Sequence, residues 1–245
     1  MGTSKAYRGL KGAPTWGVLS STITRAVNGG QPTKNALGNV MSRTVVHLGG
    51  THGVSSGSSG TGGRAGVRTA QRFGSFIGNI QNNGFSNALN MIADGLEIDD
   101  ANQAINVILE HCAENAGILD EIAAKAAMRD LLKEIGTEAK TLEELDEKFE
   151  AIIKDYGAEG LLVKYFGNYL YEHLCTDFYE KLIKEKGIRE TENFYKDLKE
   201  YIVEKTKTIS RHRDLRKVDW FSNYGKNLMQ EIFRATLKAF EDYEG

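Results

Sequence analysis

The chain has 245 residues, a formal net charge of −2 and 40% hydrophobic residues, enough for one sizeable core or two modest ones. Its 2 cysteines exclude a disulfide scaffold and favour a reducing compartment. No apolar run approaches the ~20 residues of a membrane span, and no apolar stretch near Met1 resembles a secretory signal, so a soluble, cytoplasmic protein without membrane partners is expected.

Residues 1–14 carry no hydrophobic period and read as a flexible N-terminal tail. Thr15 to Asn28 reads as a short helix with Val18, Leu19, Ile23 and Val27 near one face and Gly29-Gly30 as its stop. Thr33 to Leu48 reads the same way, with Leu37, Val40, Met41, Thr44, Val45 and Leu48 apolar or small. Residues 49–66 have the composition of a linker. Val67 to Ile80 is expected to be helical, weakened by Gly74 and Gly78. Asp99 or Asp100 can cap a helix running to about Ala113, burying Ala104, Ile105, Ile108 and Leu109. Ile118 to Ile135 is a strong helix stopped by Gly136, and Thr141-Leu-Glu-Glu144 is a capping box for the next one. There Leu162, Phe166, Leu170, Leu174, Phe178 and Leu182 recur every fourth residue, and Gly187 ends the run. Glu190 to Thr208 and Asn223 to Tyr243 supply two more helices. No period-2 strand stands out, so the fold class is all-α: a helical bundle preceded by a flexible, Gly/Ser-rich basic N-terminal region with short helices.

The small net charge hides an asymmetry. Residues 1–93 hold no Asp or Glu but nine Lys and Arg, and 18 of the 27 glycines. From Asp94 onward the remaining 22 basic residues meet all 33 acids, a balance of −11. Three regions follow: the tail at 1–14, a basic Gly-rich region at 15–93 containing the 49–66 linker, and an acidic helical bundle at 94–245. An acid-free arm suits an anionic ligand or a partner's channel.

Few motifs carry chemistry. His111-Cys112 and His173/Cys175 have metal-ligand chemistry, but residues one or two apart diverge on a helix, so no metal site is expected. The Gly60-Thr-Gly62-Gly63-Arg-Ala65 run ends in Ala where a dinucleotide fingerprint needs Gly, and no P-loop or nucleophile constellation is present, so no catalytic residue is assigned. Arg64, Arg68 and Arg72, at i, i+4 and i+8, would line one helix face able to hold phosphates or an acidic partner. A second basic run, Arg211-His-Arg213-Asp-Leu-Arg216-Lys217, is expected to pair with the acidic bundle, and Trp220, Phe221 and Tyr224 after it to be core or staple residues.

The extreme N-terminus has its own chemistry. Gly2 permits removal of Met1 and leaves an α-amine whose pKa of about 7.7–8.0 keeps a useful fraction nucleophilic at neutral pH. Without a side chain, that amine can enter a narrow pocket. Myristoylation would want Ser or Thr where Ala6 stands.

Met1-Gly-Thr-Ser4, the leader with Gly9, Gly12 and Pro14, Trp16, and the Arg64-Ala-Gly-Val-Arg68 run followed by Arg72-Phe73 resemble the B component of the four-gene bacterial Qat antiphage defence system. The resemblance covers roughly the first 90 residues. It implies an accessory, non-catalytic subunit working beside an ATPase component, a queuosine-synthesis-like ATP-dependent component and a TatD-like nuclease component. It further implies that Gly2 is the acceptor for a 7-deazaguanine group, with Thr3 and Ser4 as partner-recognition residues. No cofactor of its own is then expected beyond that covalent base. The alternative is a nucleic-acid-binding protein that uses the basic N-terminal region and Arg64, Arg68 and Arg72.

Overall fold

A computed structural model describes residues 14–28, 30–57, 62–113, 116–209 and 213–241. Among these residues there are ten helices and no strand, so the fold is all-α.

The first helices form from short apolar stripes. Helix α1 (Pro14–Asn28) buries Leu19, Ile23 and Val27 but leaves Val18 at the surface. Helix α2 (Lys34–His47) opens on Thr33, whose hydroxyl accepts the Ala36 N–H at 3.2 Å, and buries Leu37, Val40, Met41 and Val45. Within the segment whose composition suggests a linker, residues 50–55 instead form α3 (Gly50–Ser55), and Val54 is completely buried. Tertiary contacts with α2 and with the last helix, α10 (Asn223–Glu241), override composition there.

Helix α4 (Arg64–Asn83) is longer than expected, and its glycines explain why. A Cβ on Gly66 would stand 2.8 Å from the Tyr169 ring, and one on Gly74 would stand 2.9 Å from the Trp220 indole. Each glycine thus lets a large aromatic ring lie against the helix backbone, and the burial gained outweighs the intrinsic cost of about 1 kcal/mol for Gly in a helix. After Gly84 a short α5 (Phe85–Ile92) follows, where the sequence pattern indicates no element.

In the second half the caps fall where the residues predict. Asp100 accepts the Gln103 N–H at 2.9 Å and starts α6 (Ala101–Cys112). Helix α7 (Leu119–Ile135) stops at Gly136. Thr141 and Glu144 make both halves of the capping box that opens α8 (Leu142–Lys186). Gly157, at φ 64° and ψ 170°, breaks α8 into two helical stretches in a conformation that costs a side-chain-bearing residue dearly. The stretch beyond it is the central rod of the molecule. Leu162, Phe166, Leu170, Leu174, Phe178 and Leu182 are all buried, as are Leu161, Tyr165, Tyr169 and His173 on adjoining faces. Such burial all round marks a helix enclosed by its neighbours. These include α4, α7, α10 and α9 (Ile188–Lys207), which follows Gly187.

A single hydrophobic cluster joins Leu19, Val40, Phe73 and Phe76 from before residue 94 with Met128, Phe149, Phe166 and Phe233 from after it. The shift in composition at Asp94 is therefore a change in surface charge, with one core running beneath it.

Candidate functional site

Gly2, Thr3 and Ser4 lie outside the described residues. What the structure fixes is the point where the segment bearing them joins the folded body. Trp16, in the first turn of α1, stacks on Phe178 of α8 with ring centroids 4.3 Å apart, and lies 5.8 Å from the His47 ring. Its indole borders a groove of about 650 Å³, whose other walls include Thr176, Asp177, Glu180 and Lys184 of α8.

The three arginines do lie on one helix. Arg64 is exposed, at the first position of α4. Arg68 approaches Glu121 Oε1 at 3.4 Å, and Arg72 donates to the His111 carbonyl at 3.5 Å. Glu121 also accepts the N–H groups of Gly117 and Ile118, so it fixes the entry to α7 while facing Arg68. The row is thus partly committed to α6 and α7, and Arg64 is its exposed member.

Beneath the start of α4 sits a polar cluster that sequence reasoning missed. Asp120, in the first turn of α7, accepts the Ala65 N–H at 2.9 Å and the Gly63 N–H at 3.3 Å. The Tyr169 hydroxyl donates to the same carboxylate, and itself accepts the Gly63 N–H at 2.6 Å. His173 Nε2 completes the set, 3.4 Å from Asp120 Oδ1. One buried carboxylate therefore caps α4 from another helix, where the helix dipole favours a negative charge. Burial pushes the Asp120 carboxyl up, but hydrogen bonds from His173, Tyr169 and the Ala65 N–H outweigh that and hold it below the usual range. Burial, reinforced by the Asp120 charge, drives the Tyr169 hydroxyl well above its ordinary value, so it stays a proton donor. The available signal was Tyr165, Tyr169 and His173 at four-residue spacing, offering polar tips on positions enclosed by apolar neighbours.

Among the described residues, no three His, Cys, Asp or Glu side chains converge as metal ligands. His111 and Cys112 end α6, whereas His173 and Cys175 sit in α8. Burial pushes the Cys112 thiol above its ordinary range and Cys175 up to about 12, which leaves neither as a thiolate nucleophile. No helix among the described residues is long and apolar enough to cross a membrane.

The second basic run meets acids, as expected for Arg213: its guanidinium lies 3.1 Å from Glu231 and 3.6 Å from Glu159. Arg211 lies outside the described residues. Trp220 is core, with its carbonyl accepting from Gln71 Nε2 at 3.0 Å. Phe221, next to buried Trp220, and Tyr224, in the first turn of α10, were expected in the core or as staples but are instead 54% and 68% exposed, on the solvent side of the segment.

Comparison with known families decides the assignment. The family model described as Qat anti-phage system associated protein QatB matches residues 55–240. The chain belongs to the QatB family. The match runs from the last residue of α3 into α10, so the family likeness lies in the helical body as well as in the Arg64–Phe73 segment that suggested it. As a QatB-family protein the chain is a component of an antiphage defence system and works with the system's other components. No curated protein and no solved structure matches it.

Proposed function

We propose that this QatB-family chain is a non-catalytic subunit whose N-terminus is the functional group. With Met1 removed, the Gly2 α-amine attacks the acyl-adenylate of 7-carboxy-7-deazaguanine made from ATP on a queuosine-synthesis-like partner. A C–N amide bond forms, the acyl–phosphate bond to AMP breaks, and the amine loses a proton. Catalytic residues belong to that partner, and Thr3 and Ser4 give hydrogen-bonding side chains small enough for a tight channel. An ATPase component and a TatD-like nuclease component complete the set, all in the cytoplasm.

Membership in the QatB family is the observation that carries this reading. The geometry is compatible with it: eleven residues separate Gly2 from Pro14, where α1 begins, a reach of at most about 40 Å from a body anchored by the Trp16–Phe178 stack. The alternative, direct nucleic-acid binding through Arg64, Arg68 and Arg72, has the shared helix face in its favour and the Glu121 and His111 contacts against it.

A Gly2→Glu variant co-expressed with the partner genes tests the reading. Glutamate blocks Met1 removal, so the variant is expected to keep Met1, carry no base and melt like the wild type. An N-terminal adduct on that variant would overturn the proposal.

A further inference from the structure

We propose that the groove between α5 and the segment leading into α6 is a docking site for a partner protein, which enters it as a short extended peptide with apolar side chains flanked by Lys or Arg. The site is independent of Gly2 and lies in the helical body that carries the family likeness.

Charge depletion marks the place. From Phe73 in α4 through the end of α5, residues 73–93 carry no charged side chain, in a chain that is 26% charged. Loss of charge distinguishes the core of a protein–protein interface from ordinary surface. The side chains that α5 exposes are Ser86, Asn87, Asn90 and Met91. Beside them lies a groove of about 380 Å³, floored by buried Phe85 and Leu89 and walled by half-buried Ile98 and Leu142. Leu96 borders it too. Gly95 takes φ 80° in the turn after α5, the Leu96 N–H donates to the Ala93 carbonyl at 3.0 Å, and the Leu96 side chain is left 66% exposed. A leucine held in water at the edge of a groove gains burial when a partner covers it.

Charge and backbone select the occupant. Glu97 and Asp99 line the groove, and no Lys or Arg does among the described residues. Neither carboxylate has an ion pair or hydrogen bond among those residues, whereas neighbouring Asp100 is committed to the Gln103 N–H. Cations on the partner match this rim, and a nucleic-acid backbone is repelled by it. Residues 96–99 form no regular element, and the N–H and C=O groups of Glu97 and Ile98 make no hydrogen bond among the described residues. Open main-chain donors and acceptors beside an apolar groove suit the addition of an extended peptide. Main-chain bonds then hold the peptide, the groove takes its apolar side chains, and Glu97 and Asp99 read its cations.

Photo-crosslinking in the assembled system tests the site. The full chain carrying Leu96→p-benzoylphenylalanine is co-expressed with its neighbouring genes and irradiated, and the cross-linked peptides are mapped by mass spectrometry. Cross-links are expected to one neighbouring gene product, within a segment whose apolar residues are flanked by Lys or Arg. Their yield should fall about fivefold in a Glu97→Gln/Asp99→Asn background. Both side chains are exposed and unpaired among the described residues, so the melting temperature should match that of the wild type. The mapped segment, made as a synthetic peptide, should bind the full chain saturably and more weakly as salt is raised. Cross-links to nucleic acid, to a second copy of this chain or to an acidic segment, an unchanged yield in the double variant, or no cross-link at all would each overturn the docking site. None of these outcomes bears on Gly2, whose conjugation is read separately from the N-terminal peptide.

Discussion

Asp120 ties the start of α4 to α7 and α8. It satisfies two N–H groups at the start of α4 and binds Tyr169 and His173 from the central rod. Asp120→Ala leaves buried donors without acceptors, at about 1–3 kcal/mol each, so the variant should lose about 3 kcal/mol or more in denaturant unfolding. A loss below 1 kcal/mol would mean that the cluster is incidental. The same geometry sets the pH response. His47 is buried beside Thr15, its Nδ1 2.9 Å from the hydroxyl, and burial, then the nearby His173, lowers its pKa; burial and Arg72 lower that of His111. For a base with a lowered folded-state pKa the unfolded chain binds the extra proton first, so stability falls as pH drops below about 6.5. The depressed Asp120 carboxyl adds a further loss at more acidic pH, as its unfolded-state pKa near 4 is passed. Melting temperatures measured from pH 7 to pH 5 should therefore decline. His47→Gln should flatten that slope, leaving the His111 contribution.

At the scale of elements, glycine placement decides the packing. Gly66→Ala and Gly74→Ala should each destabilise by about 1–3 kcal/mol, because the added methyl meets the Tyr169 and Trp220 rings, whereas Gly78→Ala, whose nearest neighbour would be 3.9 Å away, should be neutral or stabilising. Thermal melts of the three variants check that order. This contrast shows why sequence reasoning reached only part of α4. A glycine inside a periodic segment lowers helix propensity whether or not a ring lies on it, and only the tertiary arrangement separates Gly74 from Gly78. Caps behave differently: Asp100 and the Thr141/Glu144 pair were legible because the whole interaction lies within four residues. Helix α3 was illegible for the opposite reason, since its Gly- and Ser-rich residues are held by α2 and α10 from elsewhere in the chain. The candidate site divides the same way. The arginine row could be read from its spacing, but Asp120, Tyr169 and His173 belong to α7 and α8 and meet only in three dimensions.

At the scale of the whole molecule, the acid-free half and the acid-rich half are one hydrophobic body with contrasting surfaces. Phe76, Phe85 and Phe149 form a cluster spanning Asp94, with centroids 5.3 to 6.4 Å apart, and α4 lies against α7, α8 and α10. A fragment of residues 94–245 would expose this surface, and should lack the cooperative melting of the full chain in calorimetry. The family match begins at residue 55, ahead of α4, and so embraces the helices on both sides of that boundary. The central claim is that this helical body presents an N-terminal amine for modification. It is tested most directly by intact and N-terminal-peptide mass spectrometry of the chain co-expressed with its neighbouring genes. The account predicts loss of Met1 and a mass increment of one amide-linked 7-deazaguanine on Gly2, absent when the queuosine-type neighbour is omitted. An unmodified Gly2 in the presence of every neighbour, or an increment that persists without the queuosine-type neighbour, would contradict it.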